Sequence, residues 1–415
     1  MMPTTCCLQN IGGLIPKMTT KADEMTLAGD LRSRAEDISH EIIAWRREFH
    51  QFPELAFEET VTSSRIVDAL SVMDGMEVIR GFGSPTAVLG ILGKDIGLPA
   101  VTLRADMDAL AIEEESGLSF SSCFPGVMHA CGHDAHIASL LGAAKLLSER
   151  ASSLKRPVIF LFQPAEEGRA GAKKIVDAGF FERFKVDSVL GLHFWPGIPF
   201  GQVTTRKGCM TALSDRIHIT INGTTSHAAS PHQGVDPTVV AAHILLSVQD
   251  IISREKDPQS SALISFGRIE AGEAYNIIPG SAHMWGTLRA HEPDVRDFIQ
   301  RRIEEMIPLI ARAHRATATV EYNRNYPCIV NDSELTSLVL EKGGIFFSGS
   351  ETPVAKMPGQ LLAGEDFAFY SLKVPSCFML MGTGGEFGLH NPHYDVPEEL
   401  IPLASAWEAF LALSV

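Results

Sequence analysis

Hydrophobic positions along the chain follow two rhythms. PAVTLRAD (99–106), RPVIFLFQ (156–163) and DSVLGLH (187–193) are near-continuous apolar runs. Such runs suit strands covered by helices on both faces. Between and around them, apolar residues recur at helical spacing over Leu31–His50, Glu58–Leu70, His136–Glu149 and Ala170–Ala178. Helices alternating with buried strands predict an α/β domain with a parallel or mixed sheet.

After Cys209 the rhythm changes. DRIHITIN (215–222) alternates strictly, with Ile217, Ile219 and Ile221 on one face and His218, Thr220 and Asn222 on the other. This is a strand with one face open to water. A helical stretch (237–254), two strands (262–272 and 281–289), a second helix (292–314) and the strand TATVEY (317–322) follow. That β-α-β-β-α-β order is the ferredoxin-like pattern. From about Asn331 the chain returns to helices and an apolar strand, SCFMLMG (376–382). The expected layout is a ferredoxin-like α+β domain, 209–322, inserted into a larger α/β domain made of 30–208 and 323–415. Residues 1–29 are expected to be a disordered extension, as unanchored termini commonly are.

Composition narrows the function. The 415 residues are 45% hydrophobic and 20% charged, which is globular, and too long for one ordinary core. The net charge of −15, from 35 Lys and Arg against 50 Asp and Glu, excludes a basic footprint for nucleic acid. No apolar run reaches the roughly 18 residues of a membrane helix, and the N-terminus lacks the shape of a signal peptide. Seven scattered cysteines suit a reducing compartment better than a disulfide framework. A cytoplasmic protein with no membrane partner is expected.

Polar residues with metal-binding or acid–base chemistry gather where the strands end. MHACGHDAH (128–136) places three histidines, a cysteine and an aspartate within nine positions. Asp106 and Asp108 follow the first buried strand, Glu166 and Glu167 follow the second across Pro164, His193 ends the third, and His390 follows the last. Ligands of open α/β sheets bind outside the carboxyl ends of the strands. A thiolate, imidazoles and a carboxylate together suit Zn²⁺ and related divalent ions. Taken singly, Cys131 reads equally well as a small buried hydrophobe, and the two glutamates as a solvated loop. Asp106 and Asp108 read as helix caps, surface charges or groups that orient a ligating histidine. His129, Asp134 and His136 are expected to pack or orient rather than ligate.

RADMDAL, MHACGHDAH, FQPAEEG, GLH, SHAASPHQGVDP, NIIPG, GTLR, GEDFAFY and HNPHYD occur in this order. The series, from about residue 35 to the end, resembles that of the dinuclear-metal aminoacylase/carboxypeptidase family. The nearest branch holds hippurate hydrolase, indole-acetyl-amino-acid hydrolases and N-acetyl-diaminopimelate deacetylase. The resemblance implies two divalent ions, zinc or manganese, held by Cys131, His133, Glu167, His193 and His390. It makes Glu166 the general acid/base, with Asp108 and His227 in the catalytic set. Asn276, Arg289 and Gly364 would bind substrate, the first two through its free carboxylate. The inserted domain would serve as lid and dimerisation surface in a homodimer or higher oligomer, with His227 reaching the site within its own subunit or across the dimer. Arg289 supports its part independently, since a planar guanidinium fork matches a carboxylate.

The expected activity is hydrolysis of the amide bond of N-acyl-L-amino acids by metal-activated water, with Glu166 as base. A dipeptidase or carboxypeptidase of the same family is the alternative. A non-catalytic binding protein on this fold is a weaker one, because binding alone needs no free base beside the metals.

Overall fold

The computed structural model describes residues 20–349, 354–357 and 359–415. An eight-stranded mixed sheet forms the larger domain. Its centre is four strands side by side and parallel: Val158–Gln163, Ala100–Asp106, Val186–Pro196 and Ser376–Gly384. Glu77–Arg80 and Val88–Leu92 join antiparallel at one edge, while Val203–Thr205 and Ala355–Lys356 extend the other.

Alternation within the apolar runs explains why they lack a polar face. Phe160, Phe162, Leu103, Ala105, Met379 and Met381 point into one core, beneath helices that include His133–Ser148, Ser333–Phe346 and Leu400–Ser414. Ile159, Leu161, Phe378 and Leu380 point into a second core, beneath Gly171–Asp177, Phe180–Phe184 and Ala368–Ser371. Both faces are covered, so both must be apolar.

The inserted unit has the expected strand–helix order. Its four-stranded antiparallel sheet runs Ala262–Ala271, Ser281–Ala290, Leu213–Asn222, Thr317–Tyr326. Ile217, Ile219 and Ile221 pack under Pro237–Asp250 and Pro293–Ala313, leaving the opposite face open. The last strand continues to Tyr326, past the expected end at 322, so residues 323–326 still pair within the inserted sheet.

The N-terminal expectation needs correcting. Residues 1–19 lie outside the described residues, but 20–29, expected to be disordered, begin the helix Lys21–Asp37. Thr20 and Asp23 form a reciprocal capping box at its start. Its buried stripe is Ala28, Leu31 and Ala35, small residues that give little periodic signal, and it packs on the C-terminal helix Leu400–Ser414. The helix expected over Leu31–His50 is two, Lys21–Asp37 and Ser39–Gln51, broken at Ile38. Among the described residues no helix is long and apolar enough to cross a membrane.

Candidate active site

The four parallel strands end on one side of the sheet, and the loops beyond them carry the candidate residues. Cys131 and His133 flank Gly132, at φ 81°, where the helix His133–Ser148 begins. A Cβ on Gly132 would lie 2.9 Å from Val396 Cγ2, so both the turn and the close packing require glycine there. Beyond Val158–Gln163 the chain turns through Ala165 at φ 58° before presenting Glu166 and Glu167. A left-handed alanine costs about 1–2 kcal/mol. Buried Glu59 offsets that cost by accepting from the Ala165 N–H at 2.9 Å, while also holding the Phe57 N–H and the Thr86 hydroxyl.

All five expected ligands meet. Atoms of Cys131, His133 and His193 lie within 4.8 Å of one another, as do those of Cys131, Glu167 and His390. The two groups share the Cys131 sulfur. Cys131 Sγ is 3.5 Å from His193 Nε2, and His390 Nε2 is 3.1 Å from Glu167 Oε1. Both buried histidines of this set are held by the outer nitrogen: His193 Nδ1 donates to the Phe194 carbonyl at 2.7 Å, and His133 Nδ1 to that of Asp108 at 2.8 Å. That leaves the Nε2 lone pairs aimed inward, as a metal ligand requires. His133 Nε2 is buried and has no hydrogen-bond partner. A polar atom is rarely buried unpaired, and a cation among these donors would satisfy it. The donor set fits a divalent metal.

The electrostatics separate the two adjacent glutamates. Burial, then the nearby carboxylates of Glu365, Glu167 and Asp366, push Glu166 well above the usual range. Burial opposes the charge on Glu167 too, but the hydrogen bond from His390 and the charge of His133 outweigh it and hold Glu167 low. His133 is likewise disfavoured as a cation by burial, yet Asp106 and Asp108 raise it to about 10. Burial and the charges of Glu167 and Glu166 push the Cys131 thiol well up. Negative surroundings of this kind favour a bound cation.

Asp108 does not face the cavity that opens here. Its carboxylate accepts from the backbone N–H groups of Glu166 at 2.9 Å and Glu167 at 3.0 Å, so it fixes the loop that carries both. His136 is occupied at both nitrogens, donating to Asp106 at 2.6 Å and accepting from the Phe194 N–H at 3.0 Å. Asp134 pairs with Arg46 and His50. His129 is buried with neither ring nitrogen bonded, and burial lowers it to about 4.

A cavity of about 790 Å³ lies between the domains, with Cys131, Glu166, Glu167, His193 and His390 on one wall. Arg289, Thr287, Ser214 and Arg216 of the inserted sheet form the other, and Gly364 lies at the seam. A Cβ on Gly364 would lie 2.9 Å from that of Ser214. Arg289 contacts Thr287 Oγ1 and the Leu288 carbonyl. Among the described residues no carboxylate pairs with it. His227 and Asn276 are not in the cavity wall. They sit side by side on the short ladder Ser226–His227/Ile277–Ile278, where His227, Asn276 and Tyr275 are exposed.

One buried network was not anticipated. The Arg104 guanidinium bonds Gln163, Asp106, Glu365 and Asp366. One cation cannot neutralise three carboxylates: Asp106 is held well below its usual value, while burial pushes Glu365 and Asp366 up. The sequence carried one clue, an arginine in the middle of an otherwise apolar strand.

Comparison with known proteins agrees with this geometry. The model for Peptidase family M20/M25/M40 matches residues 102–413. The chain is similar to N-acetyl-L-cysteine deacetylase of Bacillus subtilis (strain 168), 37% identical over 398 residues, covering 96% of this chain and 94% of that one. It is also similar to thermostable carboxypeptidase 1 of Saccharolobus solfataricus, 36% identical, covering 94% and 99%. Among solved structures, a dinuclear metal binding peptidase of the M20 family from Bacillus subtilis superposes with a TM-score of 0.77 at 32% identity, over 91% of this chain and 98% of that one. With its metal-ligand cluster and buried glutamate at the strand ends, the chain belongs to Peptidase family M20/M25/M40 and is a metal-dependent hydrolase of amides or peptides.

Proposed function

We propose that this hydrolase cleaves the amide bond of N-acyl-L-amino acids. One observation carries the reading: a single cavity has the ligand cluster and Glu166 on one wall and, on the other, the Arg289 guanidinium, which no carboxylate pairs among the described residues. Such a cavity suits a substrate with an amide at one end and a free carboxylate at the other. Similarity to a protein named N-acetyl-L-cysteine deacetylase supports the same class.

Cys131, His133, Glu167, His193 and His390 would hold two divalent ions, zinc or manganese. When bound, such ions polarise the acyl carbonyl and lower the pKa of water to about 7. Glu166 takes the proton of the attacking water and returns it to the leaving amine nitrogen. Arg289 and Asn276 hold the substrate carboxylate, with Gly364 leaving room at the seam. His227 donates to the oxyanion. His227 and Asn276 stand outside their own cavity, so they reach a site by closure of the inserted domain over the larger one, or from the second copy in a homodimer. Free thiols at Cys123, Cys131, Cys209, Cys328 and Cys377 are compatible with a cytoplasmic setting.

Similarity to a carboxypeptidase favours a second reading, cleavage of C-terminal residues from peptides with the same groups. Assaying the metal-loaded protein on N-acetyl, N-benzoyl and indole-acetyl amino acids beside dipeptides separates the two. Faster turnover of dipeptides than of every N-acyl amino acid would overturn the first reading.

A further inference from the structure

The loop 164–171 that carries Glu166 and Glu167 is gripped from two sides, and the two grips differ in kind. The larger domain holds mainly its N–H groups with buried carboxylates: Glu59 on Ala165, Asp108 on Glu166 and Glu167, and Asp366 on neighbouring Ala172. The inserted domain holds its carbonyls. The Tyr326 hydroxyl donates to the Glu166 carbonyl and accepts from the Ala170 N–H at 3.3 Å. Arg216 Nη2 donates to the Gly168 carbonyl at 2.5 Å. Arg216 and Tyr326 lie on adjacent strands of the inserted sheet, each opposite or next to residues that wall the cavity.

The loop is shaped to receive this grip. Ala165, Gly168 and Ala170 all have positive φ, at 58°, 71° and 57°, so the conformation is costly and persists only where its surroundings enforce it. A Cβ on Gly168 would lie 2.7 Å from Arg216 Nη2, so glycine both allows the turn and admits the guanidinium. The Tyr326 ring itself meets Phe369 edge-on, with centroids 6.3 Å apart.

We infer that Tyr326 and Arg216 are positioning residues that set the carboxylates of Glu166 and Glu167 according to how the inserted domain is seated. The loop adopts its working shape only when both domains hold it. The inserted domain thereby acts on the base directly, in addition to walling the cavity. This rests on Glu166 being the base, as proposed above.

The test uses Tyr326→Phe and Arg216→Met in the full chain, with Arg216→Lys as the conservative control, and two readouts. The first is hydrogen exchange of the 164–171 segment after chelation, which requires neither metal nor turnover. Exchange of the Ala170 amide is expected to rise about tenfold in Tyr326→Phe, the loss of one hydrogen bond, with the helix His133–Ser148 unchanged. The second is steady-state kinetics at saturating Mn²⁺ or Zn²⁺. There kcat is expected to fall about 10- to 100-fold with KM within about twofold, and Arg216→Lys to recover part of the Arg216→Met loss. Unchanged loop exchange in both Tyr326→Phe and Arg216→Met would overturn the inference, as would an unchanged kcat in both variants at saturating metal. If the unaltered protein cleaves no N-acyl amino acid, the functional reading fails while the exchange result still decides the grip.

Discussion

The two walls of the cavity are built on different physical terms. On the larger domain's wall, the candidate metal ligands and Glu166 are positioned by buried groups: Asp108 holds two amides, Glu59 a third, and Arg104 anchors Asp106, Glu365 and Asp366. On the inserted domain's side, Arg289 has no ion-pair partner among the described residues, and His227 and Asn276 stand exposed at a short ladder away from the cavity. The first wall is brought together mainly by packing within the larger domain, with the inserted domain adding its grip on the loop 164–171. Under the function proposed above, the second becomes complete only when substrate, closure or another copy supplies what it lacks.

The sharpest way to break this comparison is within the preassembled wall. Glu166→Gln keeps size and hydrogen bonding but cannot take a proton, so it should retain metal and lose about 10²–10⁴ in kcat. Glu167→Gln trades a charged ligand for a neutral amide and should lose metal first, with activity partly restored by excess metal. Metal analysis beside kcat checks both, and rescue of Glu166→Gln alone would reverse the two roles.

The incomplete wall responds differently. His227→Ala should lose about 10²–10³ in kcat, the usual consequence of removing one oxyanion donor, while keeping its full metal content. Mixing it with a metal-site variant such as Cys131→Ala should restore some activity if His227 acts across a dimer. No recovery after demonstrated subunit exchange would place it in its own subunit's site. Arg289 is probed through the substrate: converting the free carboxylate to a carboxamide should lower kcat/KM about 10- to 150-fold, the loss of a charge-assisted hydrogen bond of about 1.5–3 kcal/mol. Equal turnover of acid and amide would remove Arg289 and Asn276 from the site.

A test of a different kind, on stability rather than activity, concerns the scaffold behind the first wall. Glu408, on the C-terminal helix, is buried, and burial raises it to about 8 from 4.5 against a weaker opposing pull from the Ser139 hydroxyl. Its folded pKa lies above the unfolded one, so its stability contribution is fully present below about 4.5 and is lost as pH rises through about 8. Stability should fall by up to about 1.4 kcal/mol per pH unit across that window. Glu408→Gln should flatten the dependence in denaturant titrations, and an unchanged slope would show that the carboxyl ionises without cost.

The preassembled wall was also the more legible one. Its residues follow buried strands whose apolar runs are unmistakable, and its ligand types are chemically distinctive. Tyr326 and Arg216 were missed because each sits on a strand with one open face, where polar residues are ordinary. Glu59 was missed because nothing local separates it from its exposed neighbour Glu58. The start of the first helix, before Leu31, was missed because its buried position there is an alanine, Ala28.

By itself the sequence determined the two sheets, their covered and open faces, and the chemistry available at the strand ends, because periodicity and residue type are local properties of the chain. Only the tertiary structure decided which of those groups meet. It brought Cys131, Glu167 and His390 to one point across more than 250 positions of chain, left His227 and Asn276 outside, and set one guanidinium among three acids. Distances and desolvation depend on packing between segments far apart in the chain, and hydrophobic pattern carries no record of either.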